Sequence, residues 1–210
     1  VEYVPGDYPL VVSVPHGGAL TPATIPDRTV GVTATDTNTI ELGRAVSQAF
    51  ATRTGRAPHL VIVHLRRTKL DANREVLEAA QGNADAIRAW QEYHGFIEQA
   101  IAAVRQRSGT GLYVDLHGHG HAKARLELGY LLSADTLNGS DAQLNAAGAA
   151  AASSLRLIAL QSPLSAAALI RGPSSLGGLL EARVPAVPSP SDPAPGTDPY
   201  FNGGYSTSRH

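Results

Sequence analysis

The sequence predicts an α/β fold: one domain over residues 1–210, with a mixed, mostly parallel sheet flanked by helices. Three observations carry that expectation. Short apolar runs alternate along the chain with longer stretches of helical spacing, the pattern of strands joined by helical crossovers. Hydrophobic residues make up 43% of the 210 residues, enough for one sizeable core without requiring a second domain. No internal repeat or linker-like composition shift interrupts the chain before the Pro/Gly-rich tail from Ser189 to Gly204.

Leu10–Val14 is an apolar run stopped by Pro15 and reads as a buried strand. Thr21–Thr35 is rich in Pro, Thr and Gly and reads as loop. Thr39–Thr52 has helical spacing through Ile40, Leu42, Ala45, Val46, Ala49 and Phe50, with Thr35, Asp36 or Thr37 as its expected cap. Leu60–Leu65 is the next expected strand and Lys69–Glu75 a polar loop. Asp85–Gln106 reads as a long amphipathic helix, and Gly111–Leu116 as a strand. Beyond it, Leu126–Leu132 is expected as strand, Asp141–Ser154 as helix and Leu155–Leu160 as strand or helix end. Ser175–Arg183 reads as helix and Pro185–Pro190 as a short extended piece.

Composition narrows the function. The formal net charge is -1, and no basic block points to nucleic acid or to an anionic membrane surface. No apolar run reaches the roughly 18 residues of a membrane-spanning helix. Cysteine is absent, so disulfides and thiolate metal ligands are excluded, leaving His, Asp and Glu. The first residue is Val1 rather than Met, as a removed leader would leave it, and a cytoplasmic or a secreted location would suit the chain equally.

Three clusters carry chemistry. The first is Asp115-Leu116-His117-Gly118-His119-Gly120-His121, delivered by a predicted strand. Neutral imidazole ligates zinc, and a neighbouring carboxylate orients it. On an extended strand Asp115 and His117 share a face. The second is His16, at the end of the Leu10–Val14 strand, where parallel sheets gather ligands. A catalytic zinc site uses about three protein ligands and keeps a position open for water. His16 and His117 supply two, and Asp36 is expected as the third. The third cluster, Arg66-Arg67-Thr68-Lys69-Leu70-Asp71-Ala72-Asn73-Arg74, is rich in cations just after a strand and suits a carboxylate, which Arg grips with two parallel hydrogen bonds.

In this order the pieces resemble the N-formylglutamate amidohydrolase family and, more distantly, the zinc carboxypeptidases and aspartoacylases. The resemblance rests on Ser13–Gly18, Asp36, Lys69–Arg74, Asp115–His117, Leu126–Tyr130 and Tyr200–Tyr205, which span nearly the whole chain. It implies a zinc-carboxypeptidase-like fold and a metal-dependent hydrolase cleaving the amide of an N-acyl, for example N-formyl, amino acid or small peptide-like substrate. One Zn²⁺ or another divalent ion would be the cofactor. By resemblance, Asn73 and Arg74, with Lys69, would bind the substrate carboxylate, and Arg66 or Arg67 would stabilise the oxyanion. Glu127 or Glu181 would be the general base, Glu127 being favoured for its place near the His run. His119 and His121 would contact substrate, support the metal or act as alternative ligands.

The chain departs from the wider clan at Ala19, where His-x-x-Glu would place a Glu ligand, and in its Gly-His-Gly-His run, which implies a different acyl group. Relatives tend to continue past His210. An esterase or peptidase on the same scaffold, or a non-catalytic metal- or anion-binding module, is the alternative. The expected partner is a small carboxylate-bearing molecule, not nucleic acid or membrane, and the oligomeric state is open.

Overall fold

The apolar run Leu10–Val14 lies inside a four-stranded sheet in the computed structural model, which describes every residue except Ala147. The strands are β1 (Glu2–Val4), β2 (Leu10–Val14), β3 (His59–Ile62) and β4 (Leu112–Asp115), in the order β1-β3-β2-β4. β2 runs parallel to both β3 and β4, and β1 closes one edge antiparallel to β3. The sheet is therefore mixed and mostly parallel, and the fold class is α/β.

All five residues of β2 are buried because helices cover both faces of the sheet. Leu10, Val12 and Val14 pack with Ile40 and Phe50 of α1 (Thr39–Thr54). Val11, one position out of phase, packs with Ala100 and Val104 of α3 (Ala84–Ser108). α3 buries Ala86, Trp90, Tyr93, Ile97, Ala100 and Val104 at alternating four- and three-residue steps, the single stripe a sheet-covering helix requires. Asn83 caps it by accepting from the backbone N–H groups of Asp85 and Ala86. Between β3 and α3 lies α2 (Val76–Ala80), a helix too short for periodicity to reveal.

The residue preceding α1 is Asn38, in the left-handed region with φ 65 and no side-chain cap bond. None of Thr35, Asp36 and Thr37 takes the expected cap position, and the Asp36 carboxylate is left for another use.

The chain divides into two compact units, Val1–His119 with Tyr205–His210, and Gly120–Gly204. The first holds the four-stranded sheet. The second pairs β5 (Leu126–Glu127) in parallel with β6 (Ala186–Val187). Its helices are α4 (Ala134–Leu137), α5 (Asp141–Ala146), α6 (Ala149–Ala152), α7 (Arg156–Gln161), α8 (Ala166–Arg171) and α9 (Leu176–Leu180). Leu132, Leu137, Leu144, Ala149, Ala167 and Ile170 form its core.

Several expectations for this unit are corrected. The strand expected over Leu126–Leu132 stops at Glu127, and Leu131 adopts φ 65, which extended pairing does not permit. The helix expected over Asp141–Ser154 is two helices, with Gly148 in the left-handed region at φ 62 before the second. Leu155–Leu160 resolves to helix, and the Ser175–Arg183 helix shortens to α9, capped by Ser175. The chain ends in α10 (Tyr205–Arg209), which belongs to the first unit.

Candidate metal centre

Four segments converge at the carboxyl ends of the parallel strands. Pro15 ends β2 and presents His16, whose side chain is 1% exposed. The loop before α1 returns to the same place, because the Asp36 N–H donates to the His16 carbonyl at 3.0 Å. The segment after β3 supplies Arg67, Asp71 and Asn73, and β4 ends at Asp115 with His117 two residues beyond. Gly17 and Gly18 are required by this convergence. A Cβ on Gly17 would lie 2.5 Å from the Thr39 hydroxyl, and one on Gly18 would lie 2.3 Å from the backbone carbonyl carbon of His64.

His16 and His117 face one carboxylate with the same nitrogen. His117 Nδ1 lies 3.1 Å from Asp36 Oδ2, and His16 Nδ1 lies 3.5 Å from that oxygen. The two rings are 4.9 Å apart. His16 Nδ1 is buried and makes no hydrogen bond among the described residues. The Nε2 atoms point elsewhere: that of His16 to Asp71 Oδ1 at 2.6 Å, that of His117 to Asp115 Oδ2 at 2.8 Å. A carboxylate behind each imidazole favours the tautomer with the proton on Nε2 and a lone pair on Nδ1, the arrangement found behind histidines that bind metals.

The outer carboxylates are themselves held. Arg67 donates Nε and Nη2 to Asp71 Oδ2 at 3.0 and 2.9 Å, and the Asn73 N–H donates to Asp71 Oδ1. Burial works against charge at Asp71, but His16 and Arg67 hold its pKa below the ordinary carboxylate range. Asp36 is held low in the same way, burial being outweighed by His117, His16 and the Gly118 N–H. Burial likewise opposes ionisation of Asp115, and His117 and Ser13 lower its pKa nonetheless. His117 itself is raised to about 10, because Asp115 and Asp36 outweigh the burial that would lower it.

The donor set fits a small divalent cation. One ligand atom from each of His16, Asp36 and His117 lies within 4.8 Å of the other two. Ligands about 2.0 Å from a tetrahedral metal stand about 3.3 Å from one another. The observed separations of 3.1 and 3.5 Å bracket that edge. Charge points the same way. Asp36, Asp71 and Asp115 bring three buried negative charges, against the guanidiniums of Arg67 and Arg28, 2.9 and 3.8 Å from Asp71. Such a cluster favours a further cation, either protonated His117 or a metal ion.

Of the other residues expected at the site, Arg67 and Asn73 join the cluster. Arg67 is buried, and its Nη1 reaches to 3.6 Å from Asp36 Oδ1. The Asn73 side-chain oxygen accepts from the Ser206 N–H at 2.7 Å, which turns its NH₂ to within 3.2 Å of His117 Nε2. Arg66 is exposed. Lys69 donates to the Ile25 carbonyl and pairs with Asp27 at 3.0 Å, and Arg74 pairs with Glu78 at 3.2 Å. His119 is half-buried in the first unit.

Glu127, Glu181 and His121 belong to the second unit. The buried side chain of Glu127 accepts from His121 Nδ1 and from the Phe201 N–H, both at 2.8 Å. His121 stacks on the Phe201 ring. Glu181 accepts from the Ser191 N–H and hydroxyl, and hydrogen bonds from Ser189 and Ser191 hold its pKa low.

Asp71 is the principal residue that sequence reasoning passed over. The available signal was an acid set between two apolar residues, Leu70 and Ala72, both of which are fully buried. Ser13, part of the Ser13–Gly18 motif but given no role, and Tyr93 bind Asp115, and each reads as an ordinary residue of a strand or helix face.

Comparisons with protein-family models, with curated proteins and with solved structures find no match to this chain.

Proposed function

We propose that His16, Asp36 and His117 hold one divalent cation, zinc in the first instance, and that the chain is a metal-dependent hydrolase of an amide bond. The observation that carries this reading is the pairing of Nδ1 atoms on one Asp36 oxygen, with a separate carboxylate behind each ring. A zinc ion held there would lower the pKa of a bound water toward about 7 and would polarise a carbonyl oxygen. With three protein ligands, a fourth position is left for that chemistry, and the His117 side chain is 33% exposed.

In this reading Arg67 Nη1 is the donor that steadies negative charge developing beside Asp36. Asn73, oriented by Ser206, presents its NH₂ to the carboxylate end of the substrate, and Arg74 follows it in the chain. No group of the second unit is given a role at this metal: there Glu127 accepts from His121, and Glu181 is engaged in a Ser191 turn. The substrate class is an N-acyl amino acid with a free carboxylate, on a zinc-carboxypeptidase-like scaffold with the site at the strands' carboxyl ends.

The test is hydrolysis of a panel of N-formyl amino acids, longer N-acyl amino acids, esters and dipeptides before and after chelation. Activity on N-acyl amino acids that vanishes on chelation and in His117→Ala supports the reading. Turnover of esters or dipeptides alone redirects it to an esterase or peptidase. A zinc-loaded protein that cleaves nothing in the panel leaves a binding module.

A further inference from the structure

Behind His117 lies a buried polar network of a kind the core of a sheet protein does not need. The Asp115 side chain is 2% exposed. Its Oδ2 faces His117 Nε2, while its Oδ1 accepts from the Ser13 hydroxyl at 2.5 Å and the Tyr93 hydroxyl at 3.1 Å. A serine has one proton to give. Because Ser13 gives it to Asp115, the contact of 2.8 Å between the Ser13 and Tyr113 hydroxyls makes Tyr113 the donor and Ser13 the acceptor. The chain of donors therefore runs from Tyr113 to Ser13 to Asp115, with Tyr93 joining from the side.

The fold places these groups together without local distortion. Ser13 on β2 sits opposite Asp115 on β4 in the parallel register, and Tyr113 lies two residues earlier on the same strand face. Val11, on the Ser13 face of β2, packs on α3, and α3 supplies Tyr93. A buried carboxylate is costly to ionise, and well-packed apolar side chains in its place are often as stable or more so. Two fully buried donors on one oxygen of Asp115 accordingly point to a task for that carboxylate beyond packing.

We propose that Tyr93 and Ser13 are positioning residues of the metal centre, which act through Asp115 to fix the ring orientation and tautomer of His117. Pinned by two donors at Oδ1, the carboxylate cannot rotate to exchange its oxygens, and Oδ2 stays in the plane where it receives the Nε2–H. Nδ1 of His117 is thereby held toward Asp36. The inference rests on the metal reading of His16, Asp36 and His117, and adds that the centre's affinity is set one layer behind its ligands.

The experiment compares Zn²⁺ affinity and the visible spectrum of the Co²⁺-loaded protein for the wild type, Tyr93→Phe and Ser13→Ala, with thermal melts of the metal-free proteins alongside. Tyr93→Phe removes one oxygen and keeps the ring in the core, and Ser13→Ala removes the other donor as an independent variant. The expected result is Zn²⁺ affinity weaker by about 10- to 100-fold in each, as for other groups behind metal-bound histidines, with an altered Co²⁺ band. Tyr113→Phe, one bond further away, is expected to have a smaller effect. Lowered melting temperatures with wild-type Zn²⁺ affinity and Co²⁺ spectrum would reduce the network to a structural role and overturn the proposal. A wild-type chain that binds no Zn²⁺ or Co²⁺ would instead sink the metal reading itself, and this proposal with it.

Discussion

His16 and His117 turn the same ring nitrogen toward Asp36 Oδ2, at 3.5 and 3.1 Å, although they follow different strands, 101 positions apart by their numbers. This symmetry follows from the parallel pairing of β2 and β4, which brings both strand ends to one place. Each ring is then oriented from behind by an acid of its own, Asp71 or Asp115.

The Arg67–Asp71 pair supports the fold as well as His16. Removing one partner of a buried ion pair leaves the other charge uncompensated and costs about 3–5 kcal/mol. Asp71→Ala is expected to destabilise the protein by about 3 kcal/mol in urea unfolding, because the guanidinium of Arg67 loses both its hydrogen bonds to Asp71 Oδ2. A loss below about 1 kcal/mol would show that solvent or another acid reaches Arg67.

Gly18 provides a second test, through backbone space. The nearest neighbours of a Cβ at this position are main-chain atoms of His64 and Leu65, which cannot swing aside as a side chain would. Gly18→Ala is expected to cost about 1–3 kcal/mol, the range for overpacking, and to weaken metal binding by displacing the segment that follows His16. Unchanged stability and affinity would mean that the main chain at His64 and Leu65 gives way to the added methyl group.

The C-terminal helix gives a pH signature. His94 Nε2 donates to the Ala72 carbonyl at 3.1 Å, so its Nδ1 is the acceptor from His210 Nε2 at 2.9 Å. Burial, with His210 and Arg209 nearby, lowers the His94 pKa to about 4 from an ordinary value of 6.5. The unfolded chain therefore takes up a proton before the folded one does. Stability from this site is complete above pH 6.5 and is lost as pH falls toward 4, by about 3 kcal/mol in all. His94→Gln, which can keep both hydrogen bonds and does not titrate, is expected to flatten the stability profile over that window. A profile parallel to the wild type would show that His94 is not neutral in the folded state.

The strand-end histidine and the Asp-Leu-His run were legible because each follows an apolar run cut short by Pro15 or by a charged residue. Period two expects Asp115 and His117 on one face, and the two side chains do meet, although β4 stops at Asp115 and His117 lies two residues beyond it. Asp36 was legible as a ligand candidate, but not through helix capping, since Asn38 precedes α1. The cationic stretch after β3 hid its most important member. Its charges suggested an open anion site, whereas Lys69 and Arg74 meet Asp27 and Glu78, and Asp71 turns inward to His16. Asp27 and His16 lie far from the motif in sequence, and although Glu78 is only four residues past Arg74, that pairing depends on α2, which is too short for its period to register. Short elements such as α2, α8 and α10 span five or six residues, too few for a helical period to register.

The most direct measurement is anomalous diffraction from crystals of the zinc-loaded chain, collected on both sides of the zinc absorption edge. One strong peak is expected about 2.0–2.1 Å from His16 Nδ1, His117 Nδ1 and an Asp36 oxygen, absent in His117→Ala. No zinc peak at these three residues, with zinc present in the crystal, would contradict a metal centre there.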